Sequence, residues 1–491
     1  MKTTPLFSLE FHIRTLNKKR RSAGQRLADE LAKSKTRTLE QLSKCFEAVI
    51  PKRLLVQNDS GSHSRSRIFT KETTFWAFFS QIIDADGGCA EVVSKIRAFI
   101  ALKSPFTISP STGAYCMARK NLAKAEVEAV FNHTATVLAD RKRKDFSGRR
   151  VVVVDGTGLK ASDTPENQAQ WPQQATQKPG CGFPSLRVCA CFSLKTGAVL
   201  SYRIGNKKSN ELRLFRDQWD GLFREGDINL SDKMFSSYFD LAMLLRRGVD
   251  SVVTQAVANR KPIQGASAVK VLGNNDLMVL WKKPVWNKRS AYSREDWEKL
   301  PDTLMLRQIK VSVQAKGFRV KSFYIITTLL DPIEYPADEL AELYLRRWEV
   351  ELNFDDLKTT MGMDELRCKT PDMVEKELLM YFIAYNAARW MICKAAKKSG
   401  ADLMRISFKG ALQDLRNWEG QLNHPKLTGK EKRILIAELY RGIALKIVPE
   451  RPSRKEPRCL KRRPKPYQLL TEHRSTMKET ENRSKYRAKA A

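Results

Sequence analysis

The sequence predicts a mixed fold, α+β / α/β mixed, with a sheet-bearing core between helical flanks. Three observations carry that expectation. Apolar positions recur at helical spacing through residues 1–145 and again beyond about residue 400. Four consecutive valines, Val151 to Val154, open a series of β-like runs, and residues 255–334 alternate short strands with turns. At 491 residues the chain is too long for one core, and about 100–200 residues per domain gives roughly three to four units. The boundaries expected from these textures are 1–145 (helical), 146–254 (first part of the core), 255–334 (a β-rich insertion), 335–400 (second part of the core) and 401–491 (a basic helical region and tail).

Within 1–145, RLADELAKSKTRTLEQLSKCFEAVI and KNLAKAEVEAVFNHTATVLADRKRK set apolar residues among basic ones, and the loop DSGSHSRSR separates two blocks. TFWAFFSQIIDADGGCAEVVSKIRAFIALK reads as a helix, a turn at Gly87 and Gly88, and a second helix. That pattern suits a helix-turn-helix reader of duplex DNA and equally a plain helical bundle. At Arg150 the texture changes, and VVVVDGTG reads as a buried strand ending at Asp155. A carboxylate there is costly unless paired or bound to a cation; a turn-forming Asp-Gly is the plainer alternative. LRVCACFSLKT and AVLSYRIGNKK continue an antiparallel meander, ELRLFRDQWDGL is a helix, and GDINLSDKMF carries a short strand terminated by Asp232. Asp227 is a rival for that second position but sits in the preceding turn. Between 255 and 334, Trp281, Trp286, Trp297, Phe318, Phe323 and Tyr324 lie among Lys and Arg, a mixture that stacks bases and holds phosphates or simply packs a small sheet. VEKELLMYFIAYNAARWMICKAAKK is a strongly apolar helix expected to cover the sheet. RPSRKEPRCLKRRPKPYQLL has the composition of a nucleic-acid-binding arm or of a solvated tail.

The formal charge is +34, from 88 Lys and Arg against 54 Asp and Glu, which points to a polyanionic partner and above all to nucleic acid. The helical region 1–145 is the expected DNA-binding part. No apolar run reaches the roughly 18 residues of a spanning helix, and no signal-peptide core follows the basic N-terminus. Nine scattered cysteines suggest reduced thiols and a cytoplasmic protein. Neither the cysteines nor the five dispersed histidines have zinc spacing, and there is no Walker A loop, HExxH or dinucleotide fingerprint. An ATPase or zinc hydrolase is therefore disfavoured.

The stretch YPADELAELYLRRWEVELNFDDLKTT (335–360) carries the densest chemistry. At ~100° per residue, Tyr344, Arg347, Glu351 and Lys358 return to one narrow arc of a helix, beside an apolar stripe of Leu343, Val350, Phe354 and Leu357. Taken alone, Arg347 and Glu351 are also an ordinary i,i+4 surface pair. Two strand-end aspartates and a helical glutamate in a strongly basic protein are what two-metal phosphoryl transfer requires. Asp155, Asp232 and Glu351 would hold two Mg²⁺ ions, for which Mn²⁺ would substitute, while Tyr344, Arg347 and Lys358 handle phosphate.

The spacing Tyr344-x2-Arg347-x3-Glu351-x6-Lys358 resembles the Tyr-Arg-Glu-Lys signature of the insertion-sequence-four family of bacterial DDE transposases. The resemblance extends through DGTGLKASDTPENQAQWP, QKPGCGFP, GDINLSDKMF, TTLLDPIEYPADELAELYLRRW and KRRPKPYQLL, from about residue 70 to the C-terminus. It implies an RNase H-like catalytic core with Asp155, Asp232 and Glu351 as metal-binding triad, interrupted by the β-rich insertion. It also implies cut-and-paste transposition through a DNA hairpin on double-stranded transposon ends, strand transfer to target DNA, and a homodimer in the synaptic complex. Phe323 or Tyr324 would be the aromatic that meets a flipped base. Two positions depart from the family pattern: Lys233 stands where an Arg is common, and Asp355 and Asp356 replace a more basic pair, adding negative charge after Glu351. Another RNase H-like nuclease, or a decayed transposase that only binds DNA, are the competing readings.

Overall fold

In the computed structural model of the chain, the described residues are 46–58, 60–63, 68–84, 87–101, 109–139, 145–255, 260–287, 292–312, 322–422, 428–449 and 469–477. The segments RLADELAKSKTRTLEQLSKC and RPSRKEPRCLKRRPKPYQ, and Phe318, lie outside them.

Four helices precede the first strand: α1 (Lys71–Ile83), α2 (Cys89–Ala101), α3 (Gly113–Asn121) and α4 (Lys124–Leu138). Thr70 caps α1 by accepting the Thr73 N–H. Phe75, Trp76, Phe78 and Phe79 are all buried, so α1 is a core helix and presents no face to a DNA groove. The turn at Gly87 is real, with φ +57°.

The core alternates thereafter: β1 (Val151–Ala161), α5 (Pro165–Gln170), β2 (Ser185–Ser193), β3 (Val199–Asn206), α6 (Glu211–Arg216), α7 (Trp219–Leu222), β4 (Ile228–Ser231), α8 (Tyr238–Arg246) and β5 (Asp250–Thr254). Strands β6 (Lys270–Gly273), β7 (Asp276–Lys282), β8 (Thr303–Ser312) and β9 (Ser322–Thr327) follow, with α9 (Arg294–Glu298) between β7 and β8. One sheet holds all of them in the order β3-β2-β1-β4-β5-β9-β8-β7-β6. Neighbours β1, β2 and β3 are antiparallel, while β4 and β5 run parallel to β1. The β-rich segment thus makes no sheet of its own: β9 pairs antiparallel with β5 and extends the same sheet by four strands.

The four valines explain why β1 is central. Val151 and Val153 face one apolar layer and Val152 and Val154 the other, each at most 2% exposed. The second layer contains Phe215, Trp219 and Leu244, along with Cys189 and Cys191 as buried thiols. All described cysteines are free.

The first layer centres on α12 (Pro371–Ser399), which begins with Pro at its first turn and ends at Gly400 in the left-handed conformation, φ 72°. It packs against the sheet, α1, α4, α13 (Phe408–Leu422) and α14 (Gly429–Leu445). Asn386, fully buried, pairs with both backbone groups of Val199 and donates to Thr134 Oγ1. One side chain so joins the amino-terminal helices, the sheet and α12, and the described amino-terminal helices share a core with the sheet.

The stretch 335–360 is not a continuous α-helix. It consists of α10 (Ala337–Leu345), a 3₁₀ turn (Arg346–Trp348), α11 (Glu349–Asp355) and a π turn (Asp356–Thr360). Residue rotation is wider than ~100° in the first turn and narrower in the second, so the single-arc expectation fails for the full set. After it, β10 (Glu365–Leu366) pairs parallel with Lys160 and Ala161 of β1.

Candidate active site

β4 pairs with β1 only at Ile228–Leu230, opposite Val151–Val153. Extending that parallel register by two residues sets Asp232 beside Asp155. Beyond the end of β4, the same edge of β1 stays open until β10 pairs with it at Lys160. Lys160 donates across this edge to Asp364 O, so by alternation the Gly156 and Gly158 N–H groups face it too. The Gly156 N–H has found Asp155 Oδ1 instead, at 2.8 Å. Asp232 caps the 3₁₀ turn Lys233–Phe235, its Oδ1 accepting the Met234 N–H at 2.8 Å. Asp227 is excluded as the second member: it is buried and paired with Arg150, whose Nε donates to Oδ1 at 2.9 Å.

α11 lies against β1 and carries Glu351, whose side chain is half exposed. Burial pushes the Asp155 carboxyl up to about 6; its own bond from Gly156 and the Arg347 charge oppose this, while the Asp232 and Glu351 charges add to it. The three carboxylates therefore share one electrostatic neighbourhood. Among the described residues, however, no three acidic, His or Cys side chains close around a point where an ion would sit.

Arg347 is only 8% exposed. Its Nη2 lies 3.5 Å from Glu351 Oε1, its guanidinium stacks 5.2 Å from the Trp348 ring centroid, and its Nε has no partner among the described residues. Tyr344 is buried too, its hydroxyl meeting Thr254 Oγ1 at the end of β5. Burial, against Arg347, pushes that phenol up to about 12. Lys358 departs from the group: on the π turn it pairs with Asp364 Oδ1 at 3.2 Å. Asp355 accepts the Thr359 hydroxyl, and Asp356 has Arg389 of α12 as its charge neighbour. The Lys233 side chain is exposed. Phe323 is half buried with its ring 5.3 Å from that of Tyr344, and Tyr324 is half buried.

Sequence reasoning missed Glu211, the first residue of α6. A Cβ built on Gly156 would stand 1.4 Å from Glu211 Oε1, so this carboxylate occupies the place where any other residue after Asp155 would put its side chain. Burial raises its pKa; Arg187 opposes, and Asp155 and Asp232 add. The only signals in the sequence were the glycine after Asp155 and an acid directly after a capping Asn210.

The donor chemistry, hard carboxylate oxygens from three acids with a fourth beside them at a strand end, suits a divalent cation, although the side chains do not converge on one point.

The chain matches the family model of the transposase DDE domain over residues 146–387, from just before β1 into α12. It is 25% identical over 420 residues to the transposase InsG for insertion sequence element IS4 of Escherichia coli K12, covering 82% of this chain and 88% of that protein. A shorter match, 32% identical over 72 residues, covers 15% of this chain and 20% of the putative transposase InsL for insertion sequence element IS186A of the same organism. The cryo-EM structure of the piggyBac transposase synaptic complex with hairpin DNA aligns over 84% of this chain and 85% of that chain, with 10% identity and a TM-score of 0.42. The matched domain encloses Asp155, Glu211, Asp232, Tyr344, Arg347, Glu351 and Lys358, so this chain carries a transposase DDE domain and is similar over most of its length to the IS4 transposase.

Proposed function

We propose that this chain is an active insertion-sequence transposase that cuts double-stranded DNA at the ends of its element through a hairpin intermediate and joins the ends to target DNA. The observation that supports this reading most is the register of β1 and β4, which sets Asp155 beside Asp232 while α11 brings Glu351 to the same strand. The DDE domain carries divalent-cation dependence with it; Mg²⁺, as two ions, is our assignment. Asp155, Asp232 and Glu351 would hold it, and when bound it supplies charge to both the attacking and the leaving oxygen of an in-line displacement.

The protein's own groups do the rest. Arg347, buried with a free Nε, offers a phosphate oxygen a desolvated charged donor. Tyr344 keeps its proton and fixes Arg347 from one side, as Trp348 does from the other. Water attack on the phosphodiester at the element's end frees its 3′-hydroxyl, and that hydroxyl attacks the phosphate of the opposite strand, losing its proton and displacing the 3′-oxygen of the flanking strand as the hairpin closes. A later water opens it before the 3′-end joins target DNA. The order β3-β2-β1-β4-β5, with the first three strands antiparallel, supports an RNase H-like core. Two transposon ends must be brought together, so the working unit is a homodimer.

The reading is tested by incubating the full chain with Mg²⁺ and a duplex bearing the terminal inverted repeat. A hairpin on the excised end, absent with Glu351→Ala, is the expected result. Specific binding of that duplex by the intact protein with no cleavage would overturn it in favour of a DNA-binding role alone.

A further inference from the structure

We infer that Glu211 is a fourth carboxylate of the cation site, reaching it from the sheet face opposite Glu351 through the space left by Gly156. The inference rests on the triad reading above. Strand alternation puts Asp155 with Val151 and Val153, toward the layer of α11 and α12, and Gly156 with Val152 and Val154, toward the layer of α6. A carboxylate arriving from the α6 side meets the backbone of β1, and only a residue without a Cβ lets it close on the strand beside Asp155. Gly156 supplies that opening. At the contact an ideal Cβ would lie 1.4, 2.3 and 3.1 Å from Oε1, Cδ and Oε2, so the whole carboxylate head fills the cradle.

A structural role would need a donor, and none is in place. Among the described residues Glu211 has no hydrogen bond and no ion pair; Arg187, on the neighbouring strand, is its charge neighbour at longer range. Capping does not explain it either, because Asn210 already accepts the Leu212 N–H with its side chain. What remains is a half-buried carboxylate lodged in the Gly156 cradle, against the strand position next to Asp155, an arrangement that a divalent cation relieves, directly or through a bound water.

Mn²⁺ binding to the full chain without DNA, followed by calorimetry, tests the inference apart from catalysis. Glu211→Gln is expected to weaken Mn²⁺ binding roughly 10- to 100-fold with an unchanged unfolding midpoint in chelator. Gly156→Ala, which only has to push aside the end of a flexible side chain, is expected to weaken it similarly. Combined, the two substitutions should be no worse than either alone, because both remove the same carboxylate. Wild-type Mn²⁺ affinity in Glu211→Gln, with affinity lost in Asp155→Asn, would overturn the inference and leave the triad standing. Wild-type affinity in both variants would overturn the triad reading and this inference with it.

Discussion

Two buried arginines sit at opposite ends of the same stretch of structure and are treated in opposite ways. Arg307, on β8, is 1% exposed and saturated: Nε and Nη2 hold Asp276 of β7 at 2.8 and 2.5 Å, and Nη1 donates to Tyr335 O at 2.6 Å. It locks the β6–β9 half of the sheet to the entrance of α10. Arg347, on the 3₁₀ turn after α10, is nearly as buried but reaches its one carboxylate only at 3.5 Å and leaves Nε unpartnered. A buried charge with every donor engaged defines where chain segments sit; one with donors left over is a charge held ready for a ligand. The same contrast separates Asp227, closed on Arg150, from Asp155, whose carboxylate, among the described residues, is hydrogen-bonded only by the next residue.

Substitutions at these positions either break that contrast or sharpen it. The largest effect belongs to Asp155→Asn, which should lower hairpin formation by on the order of 10³ or more, read from end cleavage, while the unfolding midpoint stays level or rises because a poorly compensated buried acid is gone. A parallel loss of stability would make Asp155 a structural residue. Asp276→Ala should do the reverse. It strands Arg307 without a counter-charge and should cost ~3–5 kcal/mol in denaturant unfolding, with cleavage per folded molecule little changed. Arg347→Lys comes next: a loss of stability smaller than that of Asp276→Ala, because the charge is kept, but cleavage down about 10-fold, since a point charge does not replace a planar fork.

The smallest effect is a pH dependence. Burial pushes Asp356 up to about 7 from 3.8, with Arg389 opposing and Asp355 adding. An acid that holds its proton more tightly folded than unfolded stabilises the fold most at low pH, and that contribution is lost as pH rises from about 4 through 7. Unfolding midpoints should therefore fall between pH 5 and pH 8, and Asp356→Asn should flatten the decline by a few degrees at most (~2 °C). An unchanged slope would mean that Asp356 has no part in it.

Much of this was legible in the chain because the informative residues are local. Val151 to Val154 announce a strand buried on both faces, and the short run ending at Asp232 is just long enough to be a second one. What the spacing at 344–358 could not convey was that the backbone changes helix type twice, because 3₁₀ and π turns arise from packing and not from composition. That is why Arg347 and Glu351 stay together while Lys358 turns to Asp364. Nor could periodicity show that β9 would pair with β5, since strand order is a long-range property. Glu211 escaped for a related reason: its partner in space, Gly156, lies on a strand 55 positions back, and its role depends on a side chain that is absent.

The open edge of β1 has a kinetic consequence. A strand in the middle of a sheet is ordinarily among the last to exchange its amide hydrogens, because exchange there waits for global unfolding. Here the strand is closed by β4 at Val151–Val153 and by β10 at Lys160–Ala161, leaving a gap between them that includes Gly158. Central in topology yet peripheral in protection, Gly158 should report occupancy of the cleft in the intact sheet: its deuterium uptake is expected to be fast when the gap is empty and to slow if DNA lies across it.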